Sequence, residues 1–181
     1  EGLALLGTVV VDWLGERWVV QSVLPGLFRQ SEAEPTHVAY GGVEGPDTIH
    51  TDAHFHELLA APAKRLHLAT HTMRDAAGAE HALRLSVDCK GLYGADGRRY
   101  LLDVSRLCPV DVAWLERDAG SADDAYPHRF VVLRPELLEQ YWDVRLRAFA
   151  REKLAAQREQ GEAPSRIDVA DFALAYNPDA F

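Results

Sequence analysis

The sequence predicts an α+β fold: antiparallel strands and hairpins packed with helices, and a long C-terminal helix. Strand-like segments come first and the longest helical pattern comes last, with shorter helices interspersed. Two apolar, β-branched runs flank Leu14-Gly15-Glu16, and a second strand pair reads from residues 82–104 folded back at a glycine turn. Leu138, Trp142, Leu146 and Phe149 recur at helical spacing. No repeat, low-complexity tract or linker divides the 181 residues, so residues 1–181 read as one domain.

Thr8 to Trp13 and Arg17 to Leu24 are the arms of the first hairpin, and Pro25-Gly26 ends it. Arg29 to Pro35 is polar and reads as a loop, and His37 to Tyr40 as a short strand. Gly45-Pro46-Asp47 signals a turn. Thr51 or Asp52 can cap a helix carrying Phe55, Leu58 and Leu59, limited by Pro62. Arg65 to Met73 fits either a strand or the end of a helical pair. Ala82 to Cys89 alternates apolar and polar residues, the period of a half-buried strand, and Tyr100 to Val104 is its partner across Gly94-Ala95-Asp96-Gly97. Arg117 to Tyr126 reads as an exposed loop, and Phe130 to Leu133 as a short strand or helix lead-in. Pro135 suits a first helical turn, because its missing N–H is not needed there. The helix runs over about 136–160, its second half from Arg151 is mostly polar, and Gly161 and Pro164 end it. The tail from Val169 to Phe181 alternates again.

The hydrophobic fraction is 48% and the charged fraction 26%, which fits a folded chain with a sizeable core. A formal net charge of −9 works against nonspecific binding to phosphate backbones and anionic lipid. Cys89 and Cys108 form no CxxC pair, so a cysteine zinc site is not expected and both read as reduced thiols. No apolar run approaches the roughly 20 residues that span a bilayer, so no membrane insertion is expected. The start lacks an initiator Met and the marks of a signal peptide, and the chain reads as beginning inside a longer protein.

Several segments, in order, resemble one family. Gly7-Thr8-Val9-Val10-Val11-Asp12-Trp13-Leu14-Gly15-Glu16-Arg17 runs into Gln21-Ser22-Val23-Leu24-Pro25-Gly26. Asp88-Cys89-Lys90-Gly91 leads through Asp96-Gly97-Arg98-Arg99-Tyr100 to Leu101-Leu102-Asp103-Val104-Ser105-Arg106-Leu107-Cys108-Pro109-Val110-Asp111. Arg134-Pro135-Glu136-Leu137 opens the long helix, and Tyr176-Asn177-Pro178-Asp179-Ala180-Phe181 closes the chain. Together they resemble the CLU domain of clustered mitochondria proteins. The resemblance implies a cytoplasmic protein that supports mitochondrial distribution and biogenesis. It implies messenger RNA contact through the full-length protein. The implied protein partners are other parts of the same chain and translation initiation factor 3 or the ribosome. It supplies no catalytic residue and no cofactor. The earlier part of that domain and the tetratricopeptide repeats that usually follow it lie outside the chain. Trp13 and Trp18 stand where smaller or tyrosine-like residues are expected, so this hairpin surface departs from the family pattern.

Asp88-x-Lys90, with Asp103 after a short hairpin, is arranged like the catalytic segment of kinase-like folds, where one Asp positions the nucleophile and a second holds Mg²⁺. Tyr93 replaces the expected Asn, Val104-Ser105 follows Asp103, and a glycine-rich phosphate loop is missing, so active kinase chemistry is not expected. What remains is a degenerate nucleotide- or phosphate-binding fold, or simply a charged hairpin with Arg106 paired to Asp103 or Asp111. Arg98 and Arg99, with Tyr100, could contact RNA through phosphates and a stacked base, or could sit on a solvated turn with Tyr100 in the core. His50 and His54 are spaced for one helix face, but with no HExxH motif they read as partly exposed histidines rather than metal ligands. Cys89 reads as an ordinary thiol and Cys108, before Pro109, as a core residue. The candidate binding residues are therefore Asp88, Lys90, Arg98, Arg99, Asp103 and Arg106, with no catalytic residue, metal or cofactor.

Overall fold

The structure is a computed structural model that describes residues 2–27, 38–43, 45–113, 132–161, 163 and 165–179. The expected loops at 29–35 and 117–126, and the start of the segment expected at 130–133, lie outside the described residues. The described residues fall into two compact units, one within Glu1–Leu107 together with Asn177–Asp179, the other within Cys108–Tyr176.

The first unit is built on a five-stranded sheet. Its strands are β1 (Leu3–Leu5), β4 (Val38–Gly42), β5 (Ile49–His50), β8 (Lys90–Tyr93) and β9 (Arg99–Leu102), in the order β1-β9-β8-β4-β5. The β8–β9, β4–β8 and β4–β5 pairs are antiparallel. The β1–β9 pair is parallel, so the sheet is mixed, with one parallel edge that residue pattern did not suggest. Helices α1 (Ala53–Leu58) and α2 (Ala60–Arg65) bring Phe55, Leu59 and Ala63 into the core, with Phe55 beside Tyr40. Asp52 caps α1, its carboxylate accepting the Phe55 N–H at 2.9 Å. Pro62 does not stop the helical segment. It lies in the first turn of α2, where its missing N–H costs nothing.

Strand β7 (Glu80–Leu83) pairs with β6 (His71–Arg74) and ends earlier than the alternation predicts. Leu83, Leu85, Val87 and Cys89 still point inward and are buried. Beyond Leu83, however, the regular ladder ends: Val87 O accepts from Gly42 N–H of β4 at 2.7 Å, and backbone N–H groups turn to side chains. Arg84 N–H donates to the Tyr40 hydroxyl at 2.8 Å and Val87 N–H to the Asp179 carboxylate at 2.7 Å. Apolar period two therefore survives while regular strand geometry does not.

The first predicted hairpin is present as β2 (Thr8–Trp13) and β3 (Glu16–Gln21), which among the described residues pair only with each other. Its loop is the two residues Leu14 and Gly15, both with positive φ (50° and 84°), the backbone of a tight hairpin turn. Leucine is strained there by its Cβ. Leu14→Asn is expected to stabilise the hairpin by about 1 kcal/mol, read as slower amide exchange across Val9–Val20.

In the second unit, α3 (Pro135–Glu159) starts with Pro135 at its first position, as expected. Leu138 is buried, while Trp142, Leu146 and Phe149 are half-buried. Trp142 and Phe149 pack on Phe172, with ring centroids 5.3 and 5.4 Å apart. The Trp142 indole donates to Leu174 O at 3.2 Å and the Tyr176 hydroxyl to Leu138 O at 2.9 Å. The polar half beyond Arg151 is largely exposed, as its composition requires.

Candidate functional site

Six residues flagged by sequence sit on or beside the β8–β9 hairpin. Its register sets Lys90 opposite Leu102 and Tyr93 opposite Arg99. Asp88, Lys90, Asp103 and Arg106 therefore share the open end, and Arg98 and Arg99 the turn end.

At the open end the charges neutralise one another. Lys90 Nζ lies 3.5 Å from Asp103 Oδ2. Arg106 pairs with Asp88, and not with Asp103 or Asp111 as its position suggested. The reason is local: the 3-10 turn Val104–Arg106 follows Asp103, whose left-handed backbone (φ 55°) swings the chain back toward the start of β8. A Mg²⁺-phosphate site would need both carboxylates directed at one ion. Here each faces its own cation, and these part-exposed pairs contribute at most about 1 kcal/mol apiece.

Cys89 lies buried between the two pairs and donates its S–H to Asp103 O at 3.5 Å. Burial, reinforced by the nearby carboxylates of Asp179, Asp88 and Asp103, pushes its thiol up to about 12, with Arg106 opposing. The thiolate is the nucleophile, so this cysteine is inert near neutrality. Cys108 is half-buried rather than core, and its thiol is raised less far, by burial and then by Glu136. A thiol reagent at pH 7.5 is expected to label Cys108 in the native protein and Cys89 only after denaturation. Labelling Cys89 at a comparable native rate would contradict this placement.

At the turn end Tyr100 is buried against Leu24 and Leu92 and donates its hydroxyl to Asp96 Oδ2 at 2.8 Å. It cannot stack on a base. Arg98 is exposed, 3.7 Å from Asp96. Arg99 lies over the half-exposed Tyr93 ring, 5.7 Å from its centroid. His50 belongs to β5 while His54 lies on α1, so the two do not share a helix face. Among the described residues no cluster of three or more His, Cys, Asp or Glu could hold a metal.

Residue reading missed a buried cluster centred on Asp179. Its Oδ1 accepts from Ser86 Oγ at 2.7 Å. Its Oδ2 faces Val87 N at 2.7 Å and His71 Nε2 at 2.8 Å. The other His71 nitrogen faces Ala69 O at 3.2 Å. Ser86 bonds the carboxylate and not the imidazole, so this is a clamp and not a nucleophile-base pair. Burial alone would push the Asp179 carboxyl up, but bonds from His71, Ser86 and Val87 hold it below the usual carboxylate range. Asn177 accepts the Asp179 N–H at 2.9 Å, the Asx turn that Asn-Pro-Asp favours. Only that turn signal was local, since the partners lie 92, 93 and 108 residues away.

The CLU (clustered mitochondria) family profile matches residues 1–114, the stretch holding all six flagged residues. The chain belongs to the clustered mitochondria family. A "Clustered mitochondria protein homolog" of Malassezia globosa is 58% identical over 204 residues, covering 100% of this chain and 15% of that protein. Counterparts of the same name in Mycosarcoma maydis and Aspergillus terreus are 44% and 40% identical, each covering 99% of this chain. This family member thus spans 15–18% of the length of these relatives. No solved structure matches it.

Proposed function

We propose that these residues are a non-catalytic interaction module of a protein that governs mitochondrial distribution and biogenesis. The observation that carries this reading is the open end of β8–β9, where Asp88, Lys90, Asp103 and Arg106 are engaged in mutual ion pairs around a buried thiol. Acid-base or phosphoryl chemistry needs a group poised toward a ligand. Membership of a family named for clustered mitochondria supports the cellular role. On this reading the full-length protein is cytoplasmic. It meets translation initiation factor 3 or the ribosome, and it contacts messenger RNA mainly through the repeats downstream.

RNA binding near physiological salt tests it, comparing residues 1–181 with a version carrying the downstream repeats. The expected result is binding by the longer version only. Binding by the 181 residues alone, abolished by Arg98→Ala with Arg99→Ala, would instead make the β8–β9 turn an RNA reader.

A further inference from the structure

The β2–β3 hairpin has two unlike faces, set by its register. One face carries Thr8 with Gln21, Val10 with Val19, and Asp12 with Arg17. It closes its own polar groups: Gln21 Nε2 donates to Thr8 Oγ1 at 3.0 Å, and Arg17 Nε lies 2.8 Å from Asp12 Oδ1. The other face carries Val9 with Val20, Val11 with Trp18, and Trp13 with Glu16. Both tryptophans are more than half exposed, Trp13 at 65% and Trp18 at 58%. A two-stranded hairpin alone is marginal in water, and a bare apolar face with two indoles marks an interaction surface.

Size and charge choose the occupant. Six-residue strands make a stripe roughly 20 Å long, and two strands about 10 Å wide. That is the footprint of one helix of about three to four turns. The stripe offers roughly 500 Å², short of the about 800 Å² each partner gives to a stable interface. A second copy would therefore bind weakly, whereas an occupant tethered in the same polypeptide gains an effective concentration near the millimolar range. The family polypeptide supplies the length, since this chain spans only 15% of the Malassezia globosa relative. Anionic lipid is disfavoured: the only basic residue on the hairpin, Arg17, is paired, and the chain carries a net charge of −9.

We infer that the Val9–Val11–Trp13–Trp18–Val20 face seats one amphipathic helix of the same full-length polypeptide, from outside these 181 residues. The inference deepens the interaction-module reading and rests on it.

The test replaces Trp18 with the photo-reactive p-benzoylphenylalanine in the full-length polypeptide. Irradiation is expected to give a cross-link within one chain, mapped to an amphipathic helical segment outside residues 1–181. Amide exchange provides the second arm: Val11→Ser is expected to speed exchange in both the hairpin and that segment, while Val10→Ser on the opposite face leaves the segment unchanged. Overturning results are a cross-link of dimer mass, one found only with vesicles or a separate protein, one within residues 1–181, or none, with the hairpin exchanging freely. RNA binding is read separately, so a failed RNA test with an intact cross-link removes the functional reading and leaves the docked helix standing.

Discussion

Asp179→Ala is expected to destabilise the first unit by about 3–5 kcal/mol, the largest effect of any single side-chain truncation proposed for this protein. Asp179 is buried, and its carboxylate is the common acceptor of Ser86, Val87 and His71. Removing it strands a buried hydroxyl, a backbone N–H and a ring nitrogen together. A protonated His71 ring could donate to both of its facing acceptors, a neutral ring to only one. Asp179→Asn keeps the shape but not the charge, and is expected to recover part of the loss. Urea denaturation of the variants against the parent chain gives the number, and an Asp179→Ala loss below about 0.5 kcal/mol would show that the cluster does not hold the unit.

The same carboxylate sets an acid limb. Its folded pKa lies below the ordinary value of 3.8. A depressed carboxyl contributes stability that is fully present above the unfolded pKa and lost as pH falls through the folded one. Stability from this group is thus complete near neutrality and declines below about pH 4. Asp179→Asn is expected to flatten that decline, while leaving the limb set by other carboxylates such as Asp75 and Asp96.

The second large effect is expected at Gly41. Its φ is 89°, in the region that favours glycine. A Cβ there would run into the Cys89 carbonyl, which is backbone and cannot swing aside. Left-handed strain of about 1–2 kcal/mol adds to overpacking of about 1–3 kcal/mol, so Gly41→Ala should cost about 2–5 kcal/mol. Gly15, also at positive φ (84°), has open space around its missing Cβ. Gly15→Ala should therefore carry strain alone and cost less. Equal losses in the two variants, measured by thermal unfolding, would mean that the close approach of β4 to Cys89 is not what fixes Gly41.

Local chemistry determined much of this protein. β-branched runs around a two-residue loop gave the first hairpin, Asp52 gave a cap, Pro135 a helix start, and helical spacing gave α3, because each depends on residues within a few positions of one another. The family was legible too, since its motifs are runs of consecutive residues. Tertiary structure alone decided which charges meet. Arg106 reaches Asp88 because a left-handed Asp103 turns the chain, and Asp179 finds Ser86, Val87 and His71 from 92 to 108 residues away. Likewise Ala82–Cys89 carried the apolar period of a strand, yet after Leu83 the N–H groups of Arg84 and Val87 went to the Tyr40 hydroxyl and the Asp179 carboxylate. Periodicity records which side chains are buried. Which donor answers which acceptor is a matter of three-dimensional approach, and a pattern of apolar and polar residues does not contain it.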